Sequence, residues 1–178
     1  YYLQFRTPDN PKPGPLSPDI VDQSASCMQM LVAIDGLDFD AVVGVPNAGK
    51  PFAEALARFT GKPLVEMVKY EHNGKRHIAS LKGKVLPSIQ KVLVVDDLIT
   101  AATSKLEAIK ILQNEGIAID DVVVLVDREE GGYDELDEWG CRLHAVFTIT
   151  ELFDLFVETG RIPPQLRDDV QAYRSLQA

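Results

Sequence analysis

Residues 92–105 read Val-Leu-Val-Val-Asp-Asp-Leu-Ile-Thr-Ala-Ala-Thr-Ser-Lys, and in this stretch the residue types could do chemistry together. Four apolar residues make a buried strand that delivers two adjacent acids, Asp96 and Asp97, to its carboxyl end. Ligands of open α/β sheets bind at that end. Leu98 and Ile99 lead into a small, hydroxyl-bearing bend, Thr100-Ala101-Ala102-Thr103-Ser104. Its backbone N–H groups and the following helix N-terminus can face an anion, and the three hydroxyls can donate to phosphate oxygens. The paired acids suit the vicinal hydroxyls of a sugar, or a Mg²⁺ held partly through water. The combination reads as a cradle for ribose 5-phosphate. Ser104-Lys105-Leu106-Glu107 reads as a capping box that opens the helix. The bland alternative is a buried strand, a solvated Asp pair and an ordinary cap.

The elements that must position these groups follow from the pattern around them. Residues 7–18 hold five of the eleven prolines and form an extended loop. Ser17-Pro18 then opens a helix as N-cap and first helical residue, running to about Asp35. Short apolar runs follow at 41–45, 63–68, 92–95, 122–126 and 143–147, alternating with helical stretches at 51–59, around Leu106, Ile109 and Leu112, and through Leu136. Two more helices fall near 150–158 and 164–175. Apolar strands alternating with helices predict an α/β fold with a central, mostly parallel sheet flanked by helices. Residues 69–87 lack periodicity and carry several cations, so they are expected to be a loop, functional or mobile.

Composition excludes several classes. The 178 residues fit one domain with a real core. No apolar run approaches the ~20 residues of a membrane span, and no secretory leader opens the chain, which begins Tyr1-Tyr2 without a methionine and so leaves room for residues upstream. A net charge of −9 argues against a duplex nucleic-acid binder. An acidic chain can still hold a small anion where helix termini and lysines concentrate positive potential. Cys27 and Cys141 lie far apart and read as buried thiols in a reducing cytoplasm.

The 92–105 stretch resembles the phosphoribosyl pyrophosphate (PRPP) signature of type I phosphoribosyltransferases. The continuation, Val124-Leu125-Val126-Asp127-Arg128-Glu129-Glu130-Gly131-Gly132, then Gly140-Cys141-Arg142-Leu143-His144 and Thr148 to Leu152, resembles the orotate phosphoribosyltransferases in order and spacing. The likeness runs from about Ala41 to Phe156, and Tyr1-Tyr2-Leu3-Gln4-Phe5-Arg6 resembles the family's early strand. It implies the type I phosphoribosyltransferase fold as a single domain over 1–178. A strand and Pro-rich loop in 1–18 would form part of a small hood, 19–160 the core and 161–178 a C-terminal helix.

The resemblance also implies an activity: transfer of the phosphoribosyl group from PRPP to orotate, with Mg²⁺, in a cytoplasmic homodimer whose sites are shared. Asp96 and Asp97 would serve the ribose, and residues 98–104 the 5-phosphate. Gly44-Val45-Pro46-Asn47-Ala48-Gly49-Lys50-Pro51 resembles the family's pyrophosphate loop. Small residues there let amides approach the diphosphate, and Lys50 adds positive charge. Arg128, with Thr100 nearby, would hold the base's carboxylate or carbonyl edge by planar bidentate recognition. The same guanidinium could instead serve a surface ion pair with Asp127 or Glu129.

The chain departs from the family pattern at two places. Ala102 stands where the turn usually has glycine, which is awkward if the backbone needs φ > 0. In the mobile-loop region, Glu66-Met67 replace an Arg-Lys doublet, and the cations Lys69, Lys75 and Arg76 are displaced around His72. Lys69, His72 and Lys75 remain the candidates to neutralise the leaving diphosphate. These departures leave two other readings: a phosphoribosyltransferase for another base, or a catalytically impaired PRPP-binding regulator.

Overall fold

The computed structural model describes residues 5–9, 14–72, 75–79 and 88–175. Ser17 caps the first helix, α1 (Pro18–Ile34), its side chain accepting from the Ile20 amide, with Pro18 at the first helical position. Val21, Ala25, Met28 and Val32 recur at helical spacing and are its buried face. The alternation then runs β1 (Ala41–Gly44), α2 (Gly49–Thr60), β2 (Leu64–Val65), β3 (Val68–His72), β4 (Lys75–Ala79), β5 (Val92–Ile99), α3 (Thr103–Asn114), β6 (Asp121–Asp127), α4 (Gly132–Asp137), β7 (Arg142–Thr148), α5 (Ile149–Glu158) and α6 (Pro164–Ser175).

Five strands form one sheet in the order β2-β1-β5-β6-β7, every pair parallel. Helices cover both faces, so strand residues are apolar on both sides instead of alternating. Val43, Val94, Val122 and Val124 pack on one face with Ile109 and Leu112 of α3 and Leu136 of α4. Val42, Leu93, Val95 and Val123 pack on the other with Met28 of α1 and Phe52 and Leu56 of α2.

The central sheet is parallel as expected, at every strand pair among the described residues. Several other expectations need correction. The stretch expected to be a loop from Lys69 forms an antiparallel pair over its first part, with Val68 opposite Ala79 and His72 opposite Lys75. Residues 80–87 lie outside the described residues, as do Tyr1–Gln4 of the hood strand expected over Tyr1–Arg6; Phe5 and Arg6 are not in a strand. The run at 63–68 yields only a two-residue strand, and Val68 belongs to β3. Cys27 is exposed; only Cys141 is buried, and burial pushes its thiol pKa up, which keeps it inert.

Candidate active site

Because all five strands of the sheet point the same way, the turns after β1, β5 and β6 leave from one edge. Val45 donates its amide to the Val95 carbonyl at 2.9 Å, and Arg128 donates its amide to the Ile99 carbonyl at 3.0 Å, stitching the three turns together. The chain moves outward from β1 to β2 on one side and returns to β5 on the other. That reversal opens a crevice between β1 and β5, and both candidate loops border it.

Gly49 shows how closely they meet. A Cβ on Gly49 would lie 2.4 Å from the Val95 carbonyl oxygen and 2.8 Å from the Asp96 Cα. Gly49→Ala is therefore expected to destabilise by about 2 kcal/mol through overpacking and to lower Tm by roughly 4–8 °C. Unchanged calorimetric melting would show that the loop yields freely. Gly49 and Lys50 fall inside the first turn of α2, so the loop proper is Val45–Ala48. The Pro46–Asn47 peptide is cis, and Lys50 is exposed and paired with Glu54 one turn on at 3.6 Å.

The two acids at the end of β5 have different surroundings. Asp96 is 4% exposed. Its Oδ2 lies 2.7 Å from Lys105 Nζ, and its Oδ1 accepts the Asp97 amide at 2.9 Å. Lys105, also 4% exposed, donates to the Leu98 carbonyl at 2.6 Å. Asp97 is more open and accepts the Leu98 amide at 2.8 Å. Burial, reinforced by the negative charge of Asp96, pushes the Asp97 pKa up to about 8. The buried cation serves Asp96 and leaves Asp97 under-compensated. Sequence reasoning placed Lys105 only in a helix cap and missed this role. Its partners lie seven and nine residues back along the chain and are set by packing, and nothing local announces them.

The expected capping box at 104–107 is not formed. α3 begins at Thr103 with Ala102 as N-cap and no side-chain cap, so Ser104 sits one residue inside the helix. A helix start without a side-chain cap leaves first-turn N–H groups for another acceptor, as an anion cradle requires. Ala102 has φ −82° and ψ 5°, a conformation any residue adopts. The concern over a missing glycine is thereby removed: the methyl group is fully buried in the core. The Ala102 amide donates to Glu135 Oε2 at 2.7 Å, a contact that nothing in the local sequence suggested.

Arg128 stands on the turn after β6, with Nη2 2.8 Å from Glu130 Oε1. The ion pair foreseen as an alternative exists, but with Glu130 instead of Asp127 or Glu129. The next residue, Glu129, has φ 53° and is held there by Thr150 and Arg174, whose hydroxyl and guanidinium donate to its Oε2 at 2.6 and 3.1 Å. That clamp fixes the turn from which Arg128 projects.

The sequence profile described as the phosphoribosyl transferase domain matches residues 17–150. The chain belongs to that family. Two curated orotate phosphoribosyltransferases are each 32% identical to it. The one from Sulfolobus acidocaldarius aligns over 91% of this chain and 77% of its own length, the one from Sulfurisphaera tokodaii over 79% and 70%. Among solved structures, the UMP synthase of Leishmania donovani superposes with a TM-score of 0.76 at 28% identity, covering 89% of this chain and 34% of that longer one. As a phosphoribosyltransferase domain, the chain places Asp96, Asp97 and residues 98–104 beside the 45–48 loop and Arg128 at one sheet edge. Lys69, His72 and Lys75 lie on the separate β3–β4 pair.

Proposed function

We propose that this phosphoribosyltransferase moves the 5-phosphoribosyl group of PRPP onto orotate, giving orotidine 5′-phosphate and pyrophosphate. The observation that carries the reading is the end of β5: a carboxyl pair followed by a helix start without a side-chain cap, at the crevice where the strand order reverses. Amides of the turn at residues 100–104, which Leu98 and Ile99 lead into, and the hydroxyls of Thr100, Thr103 and Ser104 hold the 5-phosphate. Asp97 accepts from the ribose hydroxyls, and Asp96, locked on Lys105, fixes its position. Pro46, Asn47, Ala48, Gly49 and Lys50 receive the diphosphate, and Lys69, His72 and Lys75 add positive charge from the hairpin. Arg128 exchanges Glu130 for the carboxylate of orotate, beside Thr100.

Among the described residues no three His, Cys, Asp or Glu side chains group as metal ligands. A Mg²⁺ that arrives on a diphosphate needs only one or two protein carboxylates plus water, and the under-compensated carboxyl of Asp97 fits that need. Bound there, the ion would neutralise charge on the departing diphosphate. The protein's own groups position the ribose and the base and keep water away; no side chain needs to act as nucleophile. Among the described residues no helix is long and apolar enough to cross a membrane. The single domain is expected to work in the cytoplasm as a homodimer with a shared site.

The test is incubation with PRPP, Mg²⁺ and a panel of bases, following orotate loss by absorbance. Only orotate should be consumed rapidly. Arg128→Ala should lower kcat/KM for orotate by about 100-fold, the loss of a charged hydrogen-bonded contact, while PRPP affinity holds. Rapid use of a purine, or normal orotate kinetics in Arg128→Ala, would refute the base assignment. PRPP binding without turnover would identify a regulator.

A further inference from the structure

The Ala102 amide belongs to the turn assigned to the 5-phosphate, yet it already donates to a carboxylate, Glu135 Oε2, at 2.7 Å. The contact is built into the packing. Gly132, the first residue of α4, lies so close to the cradle that a Cβ there would come 2.4 Å from the Thr100 carbonyl oxygen and 2.5 Å from the Ile99 side chain. Three residues on, Glu135 shares that face of the helix and lies against Ala102. A carboxylate accepting a backbone N–H at a helix start mimics one oxygen of a bound phosphate. One N–H cannot serve both anions well, and two anions so close repel.

We infer that Glu135 is a resident competitor for the phosphate cradle: its carboxylate occupies the Ala102 N–H in the free protein and must leave before a phosphorylated sugar seats fully. The residue thus sets how tightly this chain holds its phosphorylated substrate. The inference rests on the cradle reading above.

Inorganic phosphate, ribose 5-phosphate and Mg·PRPP are titrated calorimetrically into the wild-type protein, Glu135→Gln and Glu135→Ala, with thermal melts to confirm folding. Both variants should bind all three ligands more tightly, Glu135→Ala by about tenfold, the worth of one charge-assisted hydrogen bond no longer contested. Binding that is unchanged or weaker in both variants would overturn the competitor role and make Glu135 a brace for the turn. Absence of PRPP and phosphate binding in the wild-type protein and both variants would overturn the cradle itself. Should the variants not fold, wild-type NMR decides. Saturating phosphate must shift the Ala102 amide and the Glu135 carboxyl carbon together, and an unmoved Glu135 signal refutes the inference.

Discussion

Asp97→Asn is expected to abolish most phosphoribosyl transfer while making the protein more stable at pH 8. The loss of activity follows from removing the one carboxylate of the pair whose charge is not already committed inside the protein. Positioned electrostatic groups of this kind are worth about 10²–10³ in kcat. The gain in stability follows from linkage. Burial first, and then the Asp96 charge, raise the Asp97 pKa from 3.8 to about 8. Between those values the folded state binds more protons than the unfolded state, so stability falls as pH rises through the window and levels off above it. Asparagine has no proton to lose, so the fall should vanish. At pH 8 the variant should exceed the wild-type protein by something on the order of 5 kcal/mol, and at pH 4 the two should nearly coincide. Paired unfolding titrations at pH 4, 6 and 8, with PRPP-dependent orotate loss, measure both effects. A variant whose stability tracks the wild-type protein at every pH would contradict the raised carboxyl; full activity would contradict its role.

Lys105→Ala carries the largest expected stability loss. Removing the ammonium strands Asp96 as a buried charge without its partner and leaves the Leu98 carbonyl without its 2.6 Å donor. Breaking a buried pair from one side costs about 3–5 kcal/mol, so Tm should fall by roughly 10 °C or more for a chain of this size. The double substitution Asp96→Asn with Lys105→Met should recover much of that loss, since replacing both partners by uncharged groups of similar shape is often near neutral. Chemical denaturation of the wild-type protein, Asp96→Asn, Lys105→Met and the double variant closes a double-mutant cycle, with Lys105→Ala measured beside them. If Lys105→Ala lost less than about 1 kcal/mol, Asp96 would have to be satisfied by water. The two substitutions oppose each other by design: one removes an unpaired charge and the other creates one.

The fold was legible because its signals are short-ranged. Ser17-Pro18 opened α1 as expected, and the apolar runs at 41–45, 92–95, 122–126 and 143–147 became β1, β5, β6 and β7. Two local misreadings had local causes. The charge-rich stretch from Lys69 reads as a loop by its lack of periodicity, although Asn73-Gly74, set between Val68-Lys69-Tyr70 and His77-Ile78-Ala79, is a strong hairpin signal. The Ser/Thr-x-x-Glu pattern occurs at both 104–107 and 148–151. Only Thr148 and Glu151 form a capping box, because the turn at 100–102 places Ser104 already inside α3.

The sequence by itself determined the β5 strand, its two acids, the hydroxyl-lined bend and the parallel α/β architecture, since periodicity and turn chemistry act over a few residues. Tertiary structure alone decided which strands flank the crevice, that Lys105 neutralises Asp96 and not Asp97, and that Glu135, 33 residues away, reaches the Ala102 amide. These outcomes depend on how α3 and α4 pack on the same face of the sheet, and packing joins residues whose spacing along the chain carries no trace of their contact.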